Sequence, residues 1–244
     1  MIDFLGIGAQ KCGTTWLYRM LETHPALSFP AGKEVHFWDR EKRPHTATYQ
    51  NQFPSVPGIL NGEITPAYAM LSLPTIQELH AVNPGLRVLY SMRNPMDRAW
   101  SSACMALRRA ELTIEEASDQ WFIDHFNSVG SLKRGDYEGC LRNWRSVFDQ
   151  KSILLVRFDD IVKQPAVVLS SCAVHLGVDP NAFPQRTIDM MAEKVFAGAG
   201  LPLRPSLLPE LARIYRPRVE ALQDYLDWDL SNWFQVSSSN EAAR

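Results

Sequence analysis

The stretch from Phe4 to Leu17, FLGIGAQKCGTTWL, constrains the fold more than any other part of this chain. It begins with an apolar run typical of a buried parallel strand, continues into a glycine-bounded turn, and ends in the first turn of a helix. Such a junction directs backbone N–H groups and the positive end of a helix dipole at one spot. The pattern therefore predicts an α/β fold with a site for a phosphate-like anion.

The position of the lysine in this turn separates two classes of nucleotide-binding loop. In a Walker A loop the lysine directly follows the second glycine, and a serine or threonine comes next. Here Gly8 and Gly13 keep the glycine spacing, but Thr14 stands at the lysine position and Lys11 lies inside the turn. We expect the loop to bind an anion, but not as a standard kinase binds Mg-ATP.

Strands that alternate with helices predict a central, mainly parallel sheet flanked by helices. At 244 residues the chain fits one α/β core, so we expect a single domain over residues 1–236 and a flexible tail at 237–244. The predicted strands are Ile2–Gly8, Leu86–Met92 and Ser152–Arg157, with a strand or extended loop at Lys33–Asp39 and a short edge or loop element at Gly62–Pro66. The predicted helices include Thr14–Glu22, Thr75–Val82, 95–109, Asp136–Phe148, Pro165–His175 and Leu207–Leu226, and residues 40–57 are expected to form a surface excursion.

Composition argues against several classes of partner. The formal net charge is −2, which gives no general affinity for nucleic acid, and no apolar window is long enough to cross a membrane. The four cysteines are far apart in sequence, as in a reduced cytoplasmic protein. Three histidines, His24, His36 and His45, lack the spacing of a metal site. Oligomeric state is not readable from this pattern.

A second anion-binding pattern follows the predicted strand at Leu86–Met92. Arg93 comes directly after the strand, Asn94 and Pro95 can begin a helix, and Ser101 lies about two turns along it. Arginine at a strand end and a hydroxyl on the next helix could grip one phosphate together. Alternatively, Arg93 forms a surface ion pair and Ser101 is an ordinary helix serine. If strands 2–8 and 86–92 are neighbours, one ligand with two separated anionic groups would contact both sites.

These two motifs, in this order and about 80 residues apart, resemble those of the PAPS-dependent sulfotransferases. Gln10 to Thr15 is similar to their loop for the 5′-phosphosulfate, and Arg93 to Ser101 is similar to their R-[DN]-P-x-x-R-x-x-S site for the 3′-phosphate. Residues 34–39 (EVHFWD) and 65–68 (TPAY) resemble the heparan sulfate sulfotransferase branch. The resemblance extends over about residues 4–177. It implies a P-loop-like three-layer α/β fold and transfer of a sulfuryl group from PAPS to a hydroxyl or amine, leaving PAP, with no metal required.

The resemblance also assigns roles to individual residues. Lys11 would stabilise charge on the leaving phosphate, and Arg204, in the segment 198–204, would be a further nucleotide contact. The donor-binding residues that it implies are Lys11, Cys12, Gly13, Thr14, Thr15, Trp16, Arg93, Ser101 and Arg204.

Glu34 and His36 are the candidates for the base that takes the acceptor proton. In an extended segment, residues two apart face the same side, so both could border the acceptor. The related branch uses the glutamate of this segment, which supports Glu34, whereas other sulfotransferases use a histidine. A surface ion pair of Glu34 with Lys33 or Arg40, and a structural role of His36, are the alternatives.

Two positions depart from the heparan sulfate branch. Ile64 stands where that branch has a lysine, with Glu63 before it, and Thr15 stands where that branch has an arginine. The loss of these cations disfavours a polyanionic glycan, so the expected acceptor is a small or medium hydroxylated compound, small-molecule or glycan-like. The remaining alternatives are a small-molecule kinase that uses Mg-ATP and a non-catalytic nucleotide-binding module.

Overall fold

Two compact units make up the part of the chain that the structure describes. The computed structural model describes residues 1–40, 42–192 and 202–234. One unit contains residues 1–92 and 140–192, and the other contains residues 93–139 and 202–234. The single domain over residues 1–236 stays a prediction, and the predicted tail at 237–244 lies outside the described residues.

The first unit is built on a five-stranded parallel sheet, in the order β2-β3-β1-β4-β5. The strands are β1 (Phe4–Gly8), β2 (Leu27–Ser28), β3 (Leu60–Ile64), β4 (Arg87–Met92) and β5 (Ile153–Arg157). Phe4 is in register with Gly62 on one side and with Arg87 on the other. Strands β1 and β4 are therefore neighbours, which confirms the arrangement that the two anion motifs required.

Eleven α-helices are described. They are α1 (Thr14–Leu21), α2 (Thr46–Gln50), α3 (Leu73–Val82), α4 (Pro95–Arg109), α5 (Asp119–Asn127), α6 (Val129–Arg134), α7 (Tyr137–Arg145), α8 (Phe158–Lys163), α9 (Pro165–Leu176), α10 (Gln185–Ala192) and α11 (Leu208–Leu226). Short 3₁₀ helices lie at Pro66–Met70, Gln150–Ser152, Pro205–Leu207 and Ser231–Phe234. None of the helices in the described ranges is long and apolar enough to span a membrane.

Helices flank the sheet of the first unit, so its inner strands are buried on both faces. Phe4 and Leu89 pack against Leu17 of α1 and Leu169 of α9. Leu5, on the opposite face of β1, is also fully buried. This burial explains why β1 and β4 read as continuous apolar runs, and it confirms the predicted α/β class.

The second unit is helical. Helices α4, α5 and α11 contribute Trp100, Phe122 and Leu211 to one apolar cluster. Helix α4 begins as predicted, because the Asn94 side chain accepts the Met96 N–H at 3.0 Å. The side chain of Arg98 on α4 is fully buried.

The structure corrects one prediction about the loops and extends another. The segment 62–66 was expected at an edge or in a loop, yet β3 lies inside the sheet, between β2 and β1. Residues 40–57 lie mostly at the surface, as expected, but they also include α2, and Tyr49 and Phe53 are buried.

Candidate functional site

The turn after β1 is pinned to the neighbouring strand β4. The Ala9 N–H donates to the Ser91 carbonyl at 2.6 Å, and the Cys12 N–H closes the turn by donating to the Ala9 carbonyl at 3.2 Å. The Ser91 hydroxyl donates to the Cys12 carbonyl. The loop is therefore held at the carboxyl ends of β1 and β4, where open α/β sheets bind their ligands.

Left-handed backbone gives this loop its shape. Gly13 has φ +86, and a Cβ there would lie 2.9 Å from Cδ1 of Ile161. Lys11 also has a positive φ of 70, which costs a non-glycine residue roughly 1–2 kcal/mol. Strain of this kind is concentrated at ligand-binding turns, and it sets apart the one lysine of the loop.

The N-terminus of α1 is chemically suited to an anion. Gly13 is the N-cap and supplies no capping side chain, and the first turn of the helix contains no acidic residue. The first N–H groups of a helix lack i−4 partners, so they can donate to a bound anion. Thr15 is partly exposed, whereas Thr14 and Trp16 are buried. Trp16 packs in the core, so its predicted contact with the donor could involve only its backbone.

The structure brings Glu34 and His36 together, although not through an extended strand. Both residues are left-handed, with φ 63 and φ 53, so the alternation argument does not apply to this loop. Their side chains nevertheless meet, with His36 Nε2 3.7 Å from Glu34 Oε2. The Glu34 side chain is 45% exposed and also contacts Lys33 Nζ. The ion pair with Lys33, left open by the sequence, is therefore present.

Asp39 completes an acid–base group that the sequence did not single out. His36 Nδ1 donates to Asp39 Oδ2 at 2.8 Å. This hydrogen bond fixes the proton on Nδ1 and leaves Nε2 on the side of Glu34. Glu34, His36 and Asp39 are thus arranged to hold or pass a proton at the surface of the first unit.

Glu63 of the first unit was not predicted to be a functional residue, yet its surroundings are unusual. It is fully buried and accepts hydrogen bonds from the hydroxyls of Tyr49, Thr65 and Tyr68. Burial raises the pKa of Glu63, and these hydrogen bonds oppose the rise. Burial and the Glu63 charge raise the pKa of Tyr68. The available signal was a lone carboxylate in an otherwise uncharged strand.

The second predicted anion site lies in the second unit. Arg93, 24% exposed at its side chain, is 3.8 Å from Asp97 Oδ2, so the ion pair named as an alternative is present. The Tyr137 hydroxyl donates to the Arg93 carbonyl at 2.9 Å. Ser101 is on α4 and partly exposed. Binding of a 3′-phosphate by Arg93 and Ser101 stays a prediction.

Arg204 has several partners inside the second unit. Its guanidinium donates to Asp119 Oδ1 at 2.6 Å and to the Ala117 carbonyl at 2.8 Å. It also lies over the Phe122 ring, 4.9 Å from the centroid. These contacts give Arg204 a structural role, while its predicted contact with the nucleotide stays a prediction. Residues 198–201 of the proposed loop lie outside the described residues.

Three large aromatic side chains that an acceptor pocket could use are core residues instead. Trp38 and Tyr68 are buried in the first unit, and Trp100 is buried in the second. Trp121 is partly exposed and stacks on His125. Among the described residues, no group of three or more potential ligands is placed to hold a metal ion.

Comparison with known proteins gives a family match over most of the chain. Residues 2–196 match the family described as the sulfotransferase domain. The chain is 27% identical over 176 residues to human heparan sulfate glucosamine 3-O-sulfotransferase 6, a match that covers 70% of this chain and 51% of that protein. The chain therefore spans about half the length of this curated relative.

Solved structures show the same fold. A sulfotransferase from Alicyclobacillus acidocaldarius superposes with a TM-score of 0.75 at 24% identity, covering 96% of this chain and 99% of that one. A mouse sulfotransferase solved in complex with PAP gives a TM-score of 0.55 at 18% identity, covering 84% of this chain and 68% of that one.

Proposed function

This chain belongs to the sulfotransferase domain family, and from that premise we propose that it transfers a sulfuryl group from PAPS to an acceptor hydroxyl. The observation that supports this most directly is the turn after β1. Its lysine is inside the turn at Lys11, and an uncapped helix N-terminus follows it. A loop of this kind suits a phosphosulfate better than Mg-ATP, because the Walker lysine position is occupied by Thr14.

The proposed chemistry is an in-line displacement at sulfur. The acceptor oxygen forms a bond to sulfur while the bond between sulfur and the bridging phosphate oxygen breaks, and PAP leaves with the bonding electrons. The Lys11 ammonium and the N–H groups at the start of α1 stabilise the charge that develops on the leaving phosphate. Arg93 and Ser101 hold the 3′-phosphate. The transferred group carries less negative charge than a phosphoryl group, so we propose that no metal is needed.

Glu34 is the proposed base. Its carboxylate takes the acceptor proton, and His36, oriented by Asp39, lies within ion-pair reach of it. Since both side chains are more than 40% exposed, an acceptor can approach them from solvent. Proton removal by a positioned carboxylate is general base catalysis.

The proposed acceptor is a small or medium hydroxylated compound without strong negative charge. Ile64 is fully buried and uncharged at the position where the heparan sulfate branch has a lysine, so it offers no cation to a polyanionic glycan. The relative's name specifies a glucosamine of heparan sulfate, so a glycan-like acceptor belongs in any test. All four cysteines are buried thiols, in keeping with the proposed cytoplasmic location.

The test compares two donors under conditions that separate the three candidate functions. Labelled PAPS with a chelator is incubated with a phenol, an aliphatic alcohol, unsulfated heparosan and heparan sulfate, and labelled ATP with Mg²⁺ is incubated in parallel. Sulfated product from PAPS is the expected result. Metal-dependent phosphorylation from ATP would identify a kinase, and tight PAP binding with no transfer to any acceptor would identify a non-catalytic module.

Substitution of Lys11 tests the loop itself. Lys11→Ala is expected to lower kcat/KM for PAPS by about 100- to 1,000-fold, the range seen when one charge-stabilising group is removed from an active site. Lys151→Ala is the matched control, because that side chain is 84% exposed and pairs only with Asp149 among its described neighbours. Equal activity of the two variants would remove Lys11 from the mechanism.

A further inference from the structure

The buried carboxylate of Glu63 collects hydrogen bonds from three hydroxyl groups. Thr65 Oγ1 donates to Oε2 at 2.9 Å, and Tyr68 Oη donates to Oε1 at 3.1 Å. The Tyr49 hydroxyl donates to the same Oε1. A buried carboxylate that lacks an ion-pair or metal partner needs such donors to offset its loss of hydration, and Glu63 accepts at both oxygens.

Two of the contacts of this cluster reach the loop that holds the proposed base. The Tyr68 oxygen accepts the N–H of Phe37 at 2.9 Å and the N–H of Trp38 at 3.4 Å. Because a backbone N–H can only donate, the single proton of the Tyr68 hydroxyl is left for Glu63. The backbone of Val35 is also hydrogen-bonded to Glu63. The donor and acceptor roles in this series of hydrogen bonds are therefore fixed, from the N–H groups of the loop through the Tyr68 hydroxyl to the Glu63 carboxylate.

The loop needs this restraint because two of its residues have strained backbone. Glu34 and His36 have positive φ values of 63 and 53. Non-glycine residues keep such a conformation only where contacts with the surrounding structure hold them in it. The Glu34 N–H donates to the Ile64 carbonyl at 3.0 Å. The bonds made by Glu63 and Tyr68 fix the residues between and after the two strained positions.

We propose that Glu63 and Tyr68 are positioning residues for the sulfuryl-transfer reaction, acting through the backbone of residues 35–38 to orient Glu34 and His36. The inference rests on the proposed function, because it assumes that those two side chains handle the acceptor proton. Neither Glu63 nor Tyr68 touches the substrate, since both are fully buried.

The test compares two tyrosines that donate to the same carboxylate oxygen. Tyr68→Phe removes the hydroxyl that holds Phe37 and Trp38, whereas Tyr49→Phe removes a hydroxyl that donates to Glu63 and, among the described residues, has no hydrogen bond to the backbone of the loop. Both variants keep the aromatic ring, so the stacking of ring 49 on Phe37 is preserved. The N–H groups of Phe37 and Trp38 are held by two hydrogen bonds to the Tyr68 hydroxyl, which together form the tether to the loop. The two variants therefore differ mainly in whether this tether survives.

We expect Tyr68→Phe to lower kcat about 100-fold, the effect of a displacement of about 1 Å at a reacting group. The dissociation constant for PAP should stay unchanged. Tyr49→Phe should lower the melting temperature while kcat, with the best acceptor of the panel above, stays close to that of the wild type. Equal losses of kcat in the two variants, or a loss in Tyr68→Phe that is entirely a loss of PAP affinity, would overturn the proposal.

A second readout does not depend on activity. Amide hydrogen exchange of residues 35–38 should accelerate in Tyr68→Phe and in Glu63→Gln, but not in Tyr49→Phe. Absence of sulfuryl transfer in the wild type would refute the proposed function and leave this exchange pattern as the test of the tether. Unchanged exchange in Tyr68→Phe would refute the tether even in a fully active sulfotransferase.

Discussion

The side chain of Glu34 should separate donor binding from chemistry. Glu34→Gln keeps the shape of the side chain but cannot accept the acceptor proton, so kcat should fall by about 100- to 10,000-fold. Isothermal titration with PAP should give an affinity close to that of the wild type, because the donor is held by the loop after β1. Transfer of labelled sulfate measures the loss of activity.

The control for Glu34 is Glu78→Gln. The Glu78 side chain is 44% exposed and pairs with Arg43 at 2.7 Å, much as Glu34 is 45% exposed and pairs with Lys33. Exposure and charge pairing are thus matched, and only the place in the fold differs. Full activity in Glu34→Gln would make His36 the base.

Single residues were predictable from the sequence where chemistry follows from a local pattern. Lys11 is inside a glycine-bounded turn, and the motif alone placed it at the end of β1. The group formed by Glu34, His36 and Asp39 was predicted only in part, because its left-handed backbone is set by bonds to β3 and Tyr68 that no local pattern reveals. Glu63 was missed because its partners at positions 49, 65 and 68 converge only in the fold.

At the scale of the element, the junction of the loop and α1 depends on Gly13. Gly13→Ala would force a Cβ into a left-handed residue and to within 2.9 Å of Ile161 and 3.1 Å of Phe158. We expect a loss of PAP affinity and a fall in unfolding free energy of about 1–3 kcal/mol beyond the backbone strain, from overpacking of this contact. Urea unfolding and PAP titration measure the two effects.

Gly32→Ala isolates the backbone strain. Gly32 has φ +74, yet nothing lies within 4 Å of a Cβ placed there. Both variants therefore carry a left-handed alanine, and only Gly13→Ala adds a clash beside the anion loop. Equal destabilisation of the two variants would show that packing against α8 plays no part.

Strands and helices were predictable where the sequence contains a continuous apolar run or a recognisable helix cap. Strands β1 and β4 and the start of α4 at Pro95 follow this rule. Strand β3 did not, because its sequence LNGEI contains an asparagine, a glycine and a glutamate. Glu63 is satisfied by hydroxyls from elsewhere, and Gly62 is needed because the ring of Phe4 occupies the place of a Cβ, 2.1 Å away. Both reasons depend on contacts that exist only in the folded protein, so the local sequence does not show them.

The pH dependence of the stability of the molecule should be due in part to Glu210 of α11. Its carboxylate accepts from Arg213 at 2.6 Å and from Asn127 of α5 at 2.6 Å, and these bonds lower the pKa of Glu210 to about 2. A lowered folded-state pKa stabilises the protein above the ordinary value of 4.5. That contribution is lost as the pH falls from there toward 2.

Glu210→Gln should therefore unfold at lower denaturant concentration than the wild type at pH 7. Glutamine imitates the protonated acid, so the two unfolding midpoints should converge as the pH falls below about 4.5. Glu220→Gln on the same helix is the control, because among the described residues Glu220 has no hydrogen-bond or ion-pair partner. A difference that persists unchanged at the lowest pH would show that the Glu210 charge is not its source.

The α/β class and the family followed from two short motifs, because each motif describes a local junction of strand and helix. The division into two units did not follow, since it depends on which distant segments share a core. Residues 1–92 join residues 140–192 across an intervening helical segment, and nothing in the composition of that segment marks its limits.

The pairing of β4 with β5 also has a consequence for the growing chain on the ribosome, because the two strands are synthesised at different times. Val88 pairs with Ile153, so β4 is synthesised about 65 residues before its partner strand. A nascent chain exposes an unpaired apolar strand edge in that interval. Parallel pairing over such a separation is slow to form. Release of a chain truncated before residue 153 should therefore yield aggregates, and ribosome-associated chaperones should be needed most during synthesis of residues 93–152.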